Sequence, residues 1–224
     1  MAMFSRRHRA THEDPISVIG RAYRKLCGFL LNKTYPFASI GCGLRMSHTV
    51  ELDRSKAHRI KLGNWIRVRH DVRLHIVAPS AEQGEPVLVL GDSVDIGPQS
   101  TISAKNFIHL ENEVTLGNSV LIMDHGPAHE DVTTPIKHQG ATEGGKIHIE
   151  KGCFIAQGST ILCDRGELII GRNSIVAANS LVTRSFPSYS LIAGNPARMI
   201  QQFDPNQGVW VLGGTGTKKA ALVK

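Results

Sequence analysis

Five stretches of the chain place an aliphatic side chain at every sixth residue, and no helix has that period. Aligned on Leu62-Gly63, Leu90-Gly91, Leu110-Glu111, Ile149-Glu150 and Ile170-Gly171, they are blocks of eighteen residues: 59–76, 87–104, 107–124, 146–163 and 167–184. The fourth place holds Leu62, Leu90, Leu110, Ile149 and Ile170. The tenth holds Val68, Ile96, Leu116, Ile155 and Val176, and the sixteenth Leu74, Ile102, Ile122, Ile161 and Val182. Smaller residues recur at the eighth place (Ile66, Val94, Val114, Cys153, Ser174) and the fourteenth (Val72, Ser100, Val120, Ser159, Ser180). Alternation by two marks short strands. A period of six marks three sides, and a period of eighteen one complete turn. The pattern predicts an all-β solenoid of triangular section, its aliphatics stacked in ladders. A β-sandwich of short strands would not demand this register.

The segments around the blocks divide the chain. Residues 1–37 form an N-terminal helical segment, 38–184 the solenoid with an inserted loop at 125–145, 185–203 a C-terminal capping segment, and 204–224 a Gly-rich, basic, flexible tail. A less regular stretch, 38–52, reads as a partial coil. Five or six coils at about 4.8 Å each give a prism about 25–30 Å long, whose open strand edges need covering. The N-terminal helix suits one end. Asp14 can cap it, with Pro15 in its first turn. Ile16, Ile19, Tyr23, Leu26, Cys27 and Leu30 then share one face, and Arg21, Arg24 and Lys25 lie mostly off it. The same amphipathic stretch, 15–31, offers a second reading as a peripheral contact with anionic lipid.

Composition narrows the function classes. With 41% hydrophobic and 20% charged residues the chain is too apolar for a disordered one. It has no apolar run of eighteen, and MAMFSRRHRATHEDP lacks a secretory core. Cys27, Cys42, Cys153 and Cys163 match no metal spacing and are too sparse for a disulfide scaffold. These features predict a cytoplasmic protein, with the inner membrane face as a peripheral station. The net charge of +7 admits nucleic acid, membrane or phosphorylated ligands. No nucleic-acid-binding motif is present, so the charge is assigned to an anionic small molecule or membrane.

Loops interrupt the blocks at 77–86, 105–106, 125–145 and 164–166. The third, HGPAHEDVTTPIKHQGATEGG, is long, rich in His and acidic residues, and mounted on a rigid scaffold, as functional loops are. His125 follows the last strand of its block, rigid on one side and free on the other. Such a position suits a general base. Asp124 could sit beside this base or only turn the chain. His129 is a candidate to orient a substrate.

The six-residue pattern, the DHGPAHEDVTTPI loop and the segment LVTRSFPSYSLIAGNPARMI together resemble the hexapeptide-repeat acyltransferases. The branch they most resemble is the sugar O-acetyltransferases of the maltose, galactoside and polysaccharide type. The resemblance spans residues 38–203. It implies a left-handed parallel β-helix and a homotrimer with active sites in the grooves between subunits. It implies acetyl-CoA as donor, a sugar or glycan hydroxyl as acceptor, no metal, and His125 as the base. By the same resemblance Phe154, Ala156, Ala178, Thr183, Arg184 and Arg198 line the CoA groove, the two arginines meeting its phosphates. The chain departs from the pattern where Phe154-Ile155-Ala156 replaces a common Trp-Ile-Gly and Asn179 a usual Gly. N-acetylation of an amino group stays open beside O-acetylation.

Two rival readings use the same solenoid. A zinc hydratase like the γ-class carbonic anhydrases needs three His around the ion. His109 and His148 occupy the third place of neighbouring blocks, with His125 and His129 near. A non-catalytic scaffold is the other, and it gives no reason for the His-bearing loop.

Overall fold

The structure, a computed structural model, describes residues 28–31, 33–77 and 84–212. The N-terminal helix from residue 14, the lipid-contact stretch up to 27 and the end of the tail from 213 lie outside the described residues. Residues 28–31 and 33–34 are helical, and Leu31 and Phe37 pack on the first coil.

Three sheets of six, nine and six strands form the sides of a prism. Each coil gives one strand to each sheet. The fourth-place ladder runs in strict register from Leu62 through Leu90, Leu110 and Ile149 to Ile170. The tenth-place ladder runs from Val68 through Ile96, Leu116, Ile155 and Val176 to Ile192. The sixteenth joins Leu74, Ile102, Ile122, Ile161 and Val182. All of these residues are buried, as is the second place of every block, Ile60, Leu88, Ile108, Ile147 and Leu168. Each buried aliphatic of this size contributes about 1.5–3 kcal/mol, so the ladders carry the stability of the solenoid.

The polar residues of the smaller ladder are buried at no uncompensated cost. Ser159 Oγ donates to the Ala177 carbonyl at 2.9 Å, and Ser180 Oγ to the same carbonyl at 2.7 Å. Ser100 Oγ donates to the Gly117 carbonyl and accepts the Val120 amide. Two corners of each eighteen-residue block use left-handed backbone. The seventh place takes it at Trp65, Ser93, Glu113, Gly152 and Asn173, the thirteenth at Asp71, Gln99, Ser119, Gly158 and Asn179. Asn tolerates this region better than most side chains, which explains how Asn179, φ 57°, stands where the pattern favours Gly. Gly158 has less choice, because a Cβ there would meet the Asn179 amide oxygen at 2.3 Å.

Two features differ from the sequence expectation. Residues 38–52 are a complete coil, with strands Ser39–Ile40, Arg45–Met46 and Glu51–Leu52 each paired to the next coil. Ile40, Met46 and Leu52 keep the six-residue spacing and stand in register with Leu62, Val68 and Leu74. At the other end, the expected flexible tail does not begin at 204. Strand Ser190–Gly194 adds to the second sheet, Ala197–Asp204 turns back antiparallel to it, and Val209–Leu212 pairs with Gln201–Asp204. Trp210 meets the Phe203 ring edge to face at 5.7 Å. The alternation Val-Trp-Val-Leu supplies a strand, and the hairpin extends the edge of the second sheet. Among the described residues no helix is long and apolar enough to cross a membrane.

Candidate active site

The long loop leaves the third sheet at strand Leu121–Met123 and is built on Asp124. Asp124 is fully buried. Its carboxylate accepts the backbone N–H groups of Lys105, Asn106 and Phe107, each at 2.8 Å. Its Oδ1 also lies 2.9 Å from His125 Nδ1. An oxygen ringed by donors acts as an acceptor, so Nδ1 carries the proton and donates to it. The remaining ring nitrogen, Nε2, keeps a free lone pair. The short break at 105–106 is therefore the amide cradle of a buried carboxylate.

The loop that follows is anchored at its base. Thr142 N–H donates to the Gly126 carbonyl at 2.8 Å, Thr142 Oγ1 accepts the Gly126 N–H, and Ala128 N–H reaches the Gly140 carbonyl. Pro127 pairs with Ala141 as an antiparallel bridge. At the tip, Asp131 accepts from the hydroxyls of Thr133 and Thr134 and from the Thr133 amide, which hold its carboxyl down at about 2. The first turn thus emerges as a short two-stranded ribbon.

His125 lines a cavity of about 350 Å³. Met123, Gly126 and Pro127 form the wall on its own side. Leu162, Cys163, Asp164, Arg165, Glu167, Leu168 and Thr183, from the next two coils, form the other. Arg165 reaches back to Glu130 of the long loop at 2.9 Å, both side chains exposed. Burial pushes the Cys163 thiol up, so it stays protonated at neutral pH and is a poor nucleophile beside the imidazole.

The structure brings together three of the residues named from sequence. His125 and Thr183 share the cavity, and Asp124 stands behind the imidazole. His129 is turned into its own loop, Nδ1 at 3.1 Å from the Pro127 carbonyl. Phe154 is exposed on the outer face of the second sheet, in register with Thr115 and Ile175. Ala156 and Ala178 lie at the next corner, where the Ala156 amide is already bonded to the Val176 carbonyl. Arg184 lies over the Phe186 ring at 5.2 Å. Arg198 is exposed on the C-terminal hairpin, with Nη1 near the Ala197 carbonyl. None of these six lines the His125 cavity of a single chain. Sequence reasoning missed Lys105, Thr142, Asp164 and Arg165. The breaks at 105–106 and 164–166 were the available signal, since a departure from the repeat marks where the wall of the prism is remodelled.

The zinc reading meets a different arrangement. His148 Nε2 lies 2.7 Å from Glu111 Oε1, and the His109 and His148 rings meet tilted at 33° with centroids 4.8 Å apart. Burial, then the neighbouring His148, pushes His109 down. Among the described residues no group of three or more His, Cys, Asp or Glu is placed to hold a metal ion.

No family model matches the sequence. Among curated proteins, the chain is 26% identical over 164 residues to a "probable acetyltransferase" of Mycobacterium tuberculosis, covering 72% of this chain and 49% of that protein. It is 27% identical to the serine acetyltransferase of Haemophilus influenzae, covering 73% of this chain and 54% of the relative. The chain thus spans about half the length of the curated relatives it matches. Among solved structures, AntD, an N-acyltransferase from Bacillus cereus in complex with dTDP and coenzyme A, aligns with a TM-score of 0.63 at 19% identity. That alignment covers 80% of this chain and 90% of AntD. A maltose O-acetyltransferase from Clostridium difficile aligns with a TM-score of 0.50 at 18% identity, over 85% and 90% of the two chains. These likenesses establish the fold, a left-handed parallel β-helix of hexapeptide repeats.

Proposed function

We propose that this hexapeptide-repeat β-helix transfers an acetyl group from acetyl-CoA to a sugar hydroxyl, with His125 as general base. The observation that carries the reading is the Asp124–His125 pair, which fixes one imidazole tautomer at the wall of a cavity. A hydroxyl is a weak nucleophile at neutral pH. His125 Nε2 takes its proton as the oxygen attacks the thioester carbonyl carbon. The tetrahedral intermediate then collapses, the C–S bond breaks, and the imidazolium returns the proton to the CoA thiolate. Asp124 stabilises the imidazolium between these steps. Positioned general bases of this kind contribute about 10²–10⁴ in rate. The relatives named as acetyltransferases and the neighbours bound to CoA support the donor.

The acceptor has a second reading. The serine acetyltransferase relatives and the Asp164–Arg165 wall both suit a small hydroxy amino acid, whose ammonium and carboxylate need opposite charges. Assay of purified protein with acetyl-CoA against maltose, a nucleotide-sugar panel and serine, by release of free thiol, decides between them. No turnover with any hydroxyl or amine acceptor would overturn the transferase reading.

Exposed Phe154, Ala178, Arg184 and Arg198 make sense as CoA contacts if a neighbouring subunit supplies the facing wall. We therefore take the functional unit to be a homotrimer, expected near 73 kDa, three times 24.4 kDa. Light scattering at micromolar concentration checks this, and a monomer there would remove the shared site. Within that site Arg184 and Arg198 are the phosphate partners. Arg184→Ala or Arg198→Ala should weaken CoA by about 10- to 150-fold, the worth of one charge-assisted contact. Calorimetry should show a smaller loss with dephospho-CoA if the arginine meets the 3′-phosphate. Unchanged affinity in both variants would place the nucleotide elsewhere.

A further inference from the structure

We propose that Lys105 is a positioning residue for His125, holding both ends of the catalytic loop through one side chain and one amide; this rests on His125 being the base. Its backbone N–H donates to both carboxylate oxygens of Asp124, at 2.8 and 3.1 Å. Its ammonium donates to the carbonyls of Ala141, at 3.1 Å, and Thr142. The next residue, Asn106, adds a bond from Nδ2 to the Gly144 carbonyl at 3.2 Å.

The ends of the loop meet on this junction. Asp124 and His125 begin it, and Ala141 and Thr142 are the return strand of its ribbon, paired to Pro127 and Gly126. A surface lysine ordinarily leaves its ammonium in water. Here the side chain is half-buried and turned onto two loop carbonyls. Three N–H donors on a compact head suit two carbonyls that diverge, a geometry that planar guanidinium matches less well. Without the ammonium the Ala141 and Thr142 carbonyls lose their side-chain tie to the solenoid, and Gly126, next to the base, is held by a Thr142 that is itself less firmly anchored. A displacement of about 1 Å at a base costs on the order of 10² in rate.

The test compares Lys105→Met and Lys105→Arg with the wild-type protein. Amide hydrogen exchange by mass spectrometry is read over 124–128 and 140–145, and kcat and KM with acetyl-CoA and the best of maltose, nucleotide-sugars and serine. In Lys105→Met, exchange of these segments should accelerate at least 10-fold while the ladders stay protected. Its kcat should fall about 10- to 100-fold with the acetyl-CoA KM within about twofold. Lys105→Arg, which keeps the charge and donors but fits the two carbonyls less well, should recover both only in part. Exchange at the wild-type rate in Lys105→Met overturns the proposal, and so does an unchanged kcat. Equal loss in Lys105→Arg and Lys105→Met also overturns it. If Lys105→Met does not fold, Lys105→Gln, which keeps an N–H donor, takes its place with the same readouts. If the wild-type protein transfers to none of these acceptors, the transferase reading fails, and exchange with its rescue by Arg alone decides the role of Lys105.

Discussion

Substituting His125 by Ala should lower acetyl transfer by about 10²–10⁴ and leave the solenoid standing. The residue occupies no place in the aliphatic ladders and starts a loop, so little apolar contact is lost. The acceptor hydroxyl loses its proton acceptor while the exposed residues assigned to CoA are untouched. The loss should therefore appear in kcat, with the acetyl-CoA KM little changed. The acid limb of the kcat–pH profile, which reports protonation of the base, should vanish in the variant. His129→Ala should cost far less, because its Nδ1 is engaged by the Pro127 carbonyl of its own loop. His138, on the short turn Ile136–His138, lines no part of the cavity and should behave likewise. Retention of more than about a tenth of wild-type activity in His125→Ala would remove it from the mechanism. A loss confined to KM would make it a binding residue instead.

The solenoid could be read from sequence because its physical demand is local and repeated. Every coil must bury one side chain per side at the same height as its neighbour, so Leu62 and Ile170 obey one rule a hundred residues apart. The corners obey a rule too, and Asn173 and Asn179 betray it by residue type. The site was legible only in part, for the opposite reason. His125 could be found because it sits where the repeat stops. Lys105 could not, because its ammonium meets Ala141 and Thr142 through a loop whose path no periodicity encodes. Asp124 occupied the last place of a block, where turning the chain and orienting a base were equally good accounts. In the structure the amides that seat it close the turn, and the same carboxylate bonds the His125 imidazole. The proposed CoA residues were named from resemblance, and in one chain all of them but Thr183 lie apart from His125. Under the proposed trimer a partner surface joins them, and a single sequence carries no signal for the geometry of that contact.

The Asp124 assignment has the most distinctive consequence, because under the proposed mechanism one side chain serves both the fold and the chemistry. Asp124→Asn should reduce both transfer and stability. The carboxylate is an acceptor for the N–H groups of Lys105, Asn106 and Phe107 and for His125 Nδ1–H. An amide has one oxygen to offer and places an NH₂ against the remaining donors. At least one buried N–H then loses its partner, at about 1–3 kcal/mol, with more if two are stranded. If the amide oxygen stays with the backbone, its NH₂ faces His125 Nδ1. The imidazole must then present Nδ1 as acceptor, which puts the proton on Nε2 and removes the lone pair that would receive the hydroxyl proton. Transfer should fall by about 10²–10⁴, as in His125→Ala, for want of the correct tautomer. The two variants are told apart by stability. Thermal unfolding should show a lowered midpoint for Asp124→Asn and a near-wild-type midpoint for His125→Ala. The double variant should be no slower than the worse single one, since both remove one function. Full activity in Asp124→Asn would mean that the imidazole is oriented by something else. Multiplicative losses in the double variant would mean that Asp124 acts on the reaction by a route that does not pass through His125.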